Sequence, residues 1–105
     1  MPDCIFCKIA NKEIKSDFVY ENEHFFAIND INPKAPIHIL LIPKKHIPTL
    51  NNLDDKNLAG ELLSGIKDVA EHIGIKEYKT IINTGKSAGQ EVFHLHIHIL
   101  ASKPQ

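Results

Sequence analysis

Three histidines at alternate positions, His94, His96 and His98, are the residues whose spacing most directly implies chemistry. In an extended strand, alternate side chains share one face, with successive Cα atoms about 6.6–7 Å apart. The intervening residues Phe93, Leu95, Ile97 and Ile99 are all apolar, so this face is expected to anchor the strand in a core. Leu100 is expected on the histidine side. The imidazoles could be merely satisfied polar groups, ligands of one metal ion, or a nucleophile flanked by groups that orient it and stabilise charge. A His-x-His pair on a strand can share one ion, but bonds of ~2.0–2.1 Å leave the third ring too far along the strand to join easily. Neutral imidazole predominates near pH 7 and is nucleophilic.

The segment before the strand is Asn83-Thr84-Gly85-Lys86-Ser87-Ala88-Gly89-Gln90. Its glycines permit backbone conformations that present N–H groups to an anion. Such a loop answers a gap in the composition: the 12 basic side chains are all lysine, with no arginine. Any phosphate must therefore meet lysine, imidazole or backbone donors instead of a guanidinium fork. Cys4 and Cys7 form a Cys-x-x-Cys pair, which reads as a redox pair or as half a metal site. No strand leads them into a βαβ unit, so a thioredoxin-like use is a poor fit.

Other elements must position these groups. Leu58, Leu62, Ile66, Val69 and Ile73 lie on one face of a long helix, with Asp54 as N-cap and Gly74 as stop. Residues 4–12 form a short helix. Strands are expected at 17–21 and 24–30 around the Asn22-Glu23 turn, at 37–43 as a central strand, at 78–83, and at 92–100. Neighbouring strands with one long helix between them imply an α+β fold on an antiparallel sheet.

The 105 residues fit one domain, 1–105, without repeats or low-complexity segments. A net charge of −1 offers no electrostatic footprint for nucleic acid or an anionic membrane. The Met1-Pro2-Asp3-Cys4 start lacks a signal-peptide pattern, and the apolar run from Ile39 to Pro43 is too short to span a bilayer. A cytoplasmic protein with reduced thiols is the expectation.

Gly89-Gln90-Glu91-Val92-Phe93-His94-Leu95-His96-Ile97-His98-Ile99-Leu100 resembles the histidine-triad (HIT) signature. Cys4-Ile5-Phe6-Cys7-Lys8-Ile9, the stretch from Asn29 to His38, and Ile42-Pro43-Lys44-Lys45-His46-Ile47 resemble the Hint branch in order and spacing. The likeness covers nearly the whole chain. It implies a HIT-like fold with an antiparallel sheet of about five strands, one long helix and one short one. It also implies hydrolysis of purine nucleoside phosphoramidates or adenylyl conjugates through a nucleotidyl-histidine, with a nucleoside monophosphate released.

By this resemblance His96 is the nucleophile, with a backbone carbonyl fixing its tautomer. His98 contacts phosphoryl oxygens, and His94 and His38 support. Asn83, Glu91 and Val92 complete the anion site, and Asp30 binds the ribose hydroxyls. Ile5, Phe6, Ile9, Ile28, Ile31 and Leu40 form the base pocket. Cys4, Cys7, His46 and His94 match relatives' ligands for structural zinc, a set suited to tetrahedral coordination. The resemblance further implies a homodimer. His24 and His72 match no functional position and read as surface residues. Some Hint proteins carry serine where this chain has Glu91, so the backbone N–H is left for phosphate, and Ala88 replaces a frequent glycine. Without a tryptophan-bearing tail, the leaving-group preference of longer relatives does not carry over. The alternatives are a dinucleoside polyphosphate hydrolase and a non-catalytic nucleotide-binding regulator.

Overall fold

The computed structural model describes residues 3–103. The core is a five-stranded antiparallel sheet in the order β1-β2-β3-β5-β4. Its strands are β1 (Phe18–Glu21), β2 (Phe25–Asn29), β3 (Ile37–Pro43), β4 (Lys79–Ile81) and β5 (Ile97–Ala101). The β-branched run 37–43 takes the central position, as its near-continuous apolar character requires.

One sheet face carries the long helix α2 (Lys56–Ile73), whose Leu58, Leu62, Ile66 and Val69 pack on Phe25, Ala27, Ile39 and Leu41. Asp55, one residue after the expected Asp54, caps it by accepting the Leu58 N–H (3.0 Å). Gly74 ends it at φ +79°, a left-handed conformation that favours glycine. Gly65 lets the helix approach the sheet: a Cβ there would lie 2.5 Å from Phe25 Cε2. The short helix α1 (Ile5–Ala10) covers part of the other face, where Phe6 and Ile9 meet Phe26, Ile28, Leu40 and Ile42. Among the described residues no helix is long and apolar enough to cross a membrane.

Four further expectations need correction. The strand expected at 78–83 pairs only over Lys79–Ile81. The strand expected at 92–100 begins only at Ile97 and runs to Ala101. Residues ahead of it are drawn off the ladder. The Gln90 side chain donates to the Val92 carbonyl (3.0 Å), and the Leu95 N–H goes to the Ile47 carbonyl (2.6 Å). Phe93, expected to face the core, is consequently 44% exposed. Nor do the three imidazoles share one face: His96 and His98 line a cleft, whereas His94 is 0% exposed behind it.

Candidate active site and candidate metal centre

The cleft has a volume of about 1190 Å³, enough for a nucleotide with a further group attached. Its floor comes from β2, β3 and β5, and one wall from α1. Ile5, Phe6, Ile9, Ile28 and Leu40 line its apolar side, and Ile31, 92% exposed, stands at the rim. Asp30, at the end of β2, lies on the lining, as do Asn83, Glu91 and Val92. His38 of β3 and His96 and His98 complete it.

Hydrogen bonds assign the imidazole protons. His96 Nδ1–H donates to the His94 carbonyl (2.8 Å), so Nε2 keeps its lone pair. The Lys34 backbone N–H donates to His38 Nδ1 (3.0 Å). A neutral His38 therefore carries its proton on Nε2, which lies 2.8 Å from His98 Nδ1. His98 Nδ1 thus accepts, and His98 holds its own proton on Nε2. Burial lowers the His98 pKa, as do the neighbouring His96 and His38, against the opposing Asp30. Phe6 meets the His96 ring edge-on at 5.2 Å between centroids, limiting its rotation.

The glycine loop behaves otherwise than expected. Gly85 and Gly89 do adopt positive φ, +92° and +97°. Yet the Gly85 N–H goes to Gln90 Oε1 (2.9 Å), the Ala88 and Gln90 N–H groups to the Gly85 carbonyl, and the Gly89 N–H to the Lys86 carbonyl. Those four N–H groups are therefore engaged within the loop. Its brace is the buried Gln90, whose amide also donates to the Pro48 carbonyl (2.8 Å). Sequence reasoning assigned Gln90 no role. Its place between a glycine and the histidines is the only signal for it.

A second cluster sits behind the cleft. Cys4, Cys7, His46 and His94 bring their donor atoms within 4.8 Å of one another. His94 Nδ1 lies 3.2 Å from Cys4 Sγ, 3.5 Å from Cys7 Sγ and 3.2 Å from His46 Nδ1. Cys7 Sγ is 3.2 Å from His46 Nδ1. A tetrahedral ion with bonds of ~2.0–2.3 Å holds its donors about 3.3–3.8 Å apart, so the cluster is nearly at that spacing. His94 Nε2–H donates to the Pro43 carbonyl (2.7 Å), which turns the Nδ1 lone pair toward the sulfurs. Desolvation lowers the His94 pKa to about 4, holding it neutral. Both cysteines are free thiols. Asp30, His38 and His98 also converge within 4.8 Å. A metal on His38 Nε2 would need an imidazolate, because Nδ1 already accepts the Lys34 N–H. That trio is therefore a hydrogen-bonded His38–His98 pair with the Asp30 carboxylate 3.4 Å from His38 Nε2.

His24 lies near Glu23 and Glu61, at 3.4 and 3.8 Å, and the exposed His72 abuts Tyr20. Neither enters the cleft or the cysteine cluster.

The sheet, the paired histidines over an apolar cleft and the cysteine–histidine cluster define a histidine-triad protein, and the HIT domain family matches residues 11–105. The chain belongs to that family. It is 48% identical to Protein HitA of Neisseria gonorrhoeae, over 97% of this chain and 98% of the relative. It is 42% identical to the purine nucleoside phosphoramidase of Escherichia coli K12, over 97% and 89%. A crystal structure of a HIT family hydrolase from Legionella pneumophila Philadelphia 1 superposes with a TM-score of 0.90, at 41% identity over 96% of this chain and 94% of that one.

Proposed function

We propose that this protein is a hydrolase of purine nucleoside phosphoramidates or related adenylyl conjugates. The observation that carries this reading is the His96 Nδ1–H bond to the His94 carbonyl, which leaves Nε2 free at the cleft. Likeness to a purine nucleoside phosphoramidase supports the substrate class. The purine lies among the apolar residues of α1, β2 and β3, and Asp30 accepts from the ribose hydroxyls.

His96 Nε2 attacks the α-phosphorus and the P–N bond to the leaving amine breaks. The amine departs with the bonding pair and takes up a proton from solvent. The resulting nucleotidyl-imidazole keeps its Nδ1–H on the His94 carbonyl, which stabilises the positive ring. Water then attacks phosphorus, the P–Nε2 bond breaks, and the nucleoside monophosphate leaves. His98 Nε2–H donates to a phosphoryl oxygen, with Asn83 and the backbone at Glu91 and Val92 completing the anion site. No arginine is needed, because neutral preorganised donors meet the charge.

In the same reading Cys4, Cys7, His46 and His94 hold structural zinc. Their donor set and spacing suit it, and the ion supplies a cross-link between α1 and the segments before β5. The chain forms one domain and acts as a cytoplasmic homodimer, through surfaces such as the exposed edge strand β4.

The deciding experiment mixes the protein with an adenylyl donor and analyses it by mass spectrometry. One added AMP located at His96 is expected. Unmodified protein that nevertheless turns over the donor rejects the covalent route. Faster hydrolysis of a diadenosine polyphosphate than of adenosine 5′-phosphoramidate favours the dinucleotide alternative. Equal, slow turnover by wild type and His96→Gly favours the non-catalytic one.

A further inference from the structure

The buried His38 stands between the residue proposed to hold the sugar and the residue proposed to meet the phosphate. Its ring is pinned from behind by the Lys34 N–H on Nδ1. Its single proton, on Nε2, is donated to His98 Nδ1 at 2.8 Å, while Asp30 Oδ2 lies 3.4 Å from the same nitrogen without a hydrogen bond. The other Asp30 oxygen, Oδ1, accepts the Asn32 backbone N–H (2.8 Å). Oδ2 is therefore the Asp30 atom shared between His38 and whatever enters the cleft.

We propose that Asp30, His38 and His98 act as one coupled unit, in which sugar hydroxyls bound at Asp30 offset the carboxylate's pull on the His38 Nε2–H, tighten its hydrogen bond to His98 and so improve the donor that meets the phosphoryl group. The inference rests on the hydrolase reading and deepens it. A hydroxyl that donates to Oδ2 offsets that oxygen's charge and weakens its pull on the nearby His38 Nε2–H. The existing His38 Nε2–H bond to His98 Nδ1 is then strengthened. A stronger bond at Nδ1 orients the His98 ring and holds its proton on Nε2, facing the cleft. Reversal of the relay is barred, because a proton on His38 Nδ1 would collide with the Lys34 N–H. His38 is thus a positioning residue, and the ribose contributes to turnover as well as to binding.

Adenosine 5′-phosphoramidate and its 2′,3′-dideoxy analogue test the coupling in wild type, His38→Gln and His38→Leu. Wild type should lose about tenfold in kcat on the dideoxy substrate, the scale of one improved hydrogen bond, besides a rise in KM. His38→Leu should lower kcat on the ribo substrate and leave only a KM difference between the two. His38→Gln, which keeps a donor toward His98, should restore part of the kcat difference. Equal kcat values in wild type overturn the coupling while leaving the hydrolase reading intact. Absence of turnover with either substrate overturns both.

Imidazole nitrogen NMR on wild type gives a readout that does not depend on a variant's folding. His38 and His98 should both carry the proton on Nε2. Adenosine should shift their signals further than 2′,3′-dideoxyadenosine does at saturation. A proton on His38 Nδ1, or equal shifts with both nucleosides, overturns the proposal.

Discussion

His94 and His96 are two residues apart and use opposite nitrogens. His94 gives its Nε2–H to the Pro43 carbonyl and turns Nδ1 toward two thiols. His96 gives its Nδ1–H to the His94 carbonyl and turns Nε2 toward the cleft. One ring is sealed among ligand-type atoms, and the other stands at an open cavity. The difference teaches that a histidine's task here is set by which backbone carbonyl takes its proton. Imidazole chemistry alone would allow either ring either use.

The comparison breaks most visibly at His96. Replacing it with alanine should lower kcat by roughly 10⁴-fold or more, since nucleophile loss is among the costliest substitutions. Metal content and thermal midpoint should stay near wild type. A variant that keeps a tenth of the activity rules out His96 as nucleophile. The behind-cleft cluster predicts the reverse pattern. Cys4→Ser or Cys7→Ser should take bound zinc from one per chain to near zero. Loss of the cross-link should cost about 2–4 kcal/mol and lower the midpoint by roughly 10–20 °C. Wild-type protein purified without metal would refute the zinc assignment.

Acid sharpens the contrast in chelator-treated protein. His94 titrates at about 4 in the folded chain, against 6.5 ordinarily. Between those values the unfolded chain binds more protons, so stability falls as pH drops from about 6.5 toward 4, by on the order of 3 kcal/mol, and His94 adds no further loss below. The lowered His98 pKa acts in the same direction. Urea midpoints across this range measure the trend, and a midpoint that rises on acidification contradicts it. The smallest effect belongs to a site remote from both clusters. Gly65→Ala would place a Cβ 2.5 Å from Phe25 Cε2. It should cost about 1–3 kcal/mol by overpacking, with zinc content and kcat unchanged at a temperature where the variant is folded. An unchanged midpoint would show that α2 shifts freely away from β2.

The parts legible in the sequence are those whose signal is a pattern of side chains. Helix α2 follows from the spacing of Leu58, Leu62, Ile66 and Val69, and β3 from its apolar run. The cluster of Cys4, Cys7, His46 and His94 joins residues up to 90 positions apart. No local period announces it, and only the family resemblance grouped those four. The late start of β5 was hidden because the apolar alternation runs on through residues 93–96, beyond the point where ladder bonds stop. Contacts made by backbone atoms carry no residue signature at all. The Pro43 and His94 carbonyls and the Lys34 N–H fix the tautomers of His94, His96 and His38; the family resemblance implied a carbonyl for His96, and the other two partners could not be read from residue type. Gly65 was passed over for a related reason: its importance lies in what it leaves out.

One peptide group joins the two regions. The amide between His94 and Leu95 is held at both ends, its N–H by the Ile47 carbonyl and its C=O by His96 Nδ1–H. Ile47 follows His46, a member of the thiol cluster. The amide is therefore held with the cluster at one end and His96, the proposed nucleophile, at the other. That carbonyl orients the His96 ring, so the direction of Nε2 depends on a contact to Ile47, which does not line the cleft.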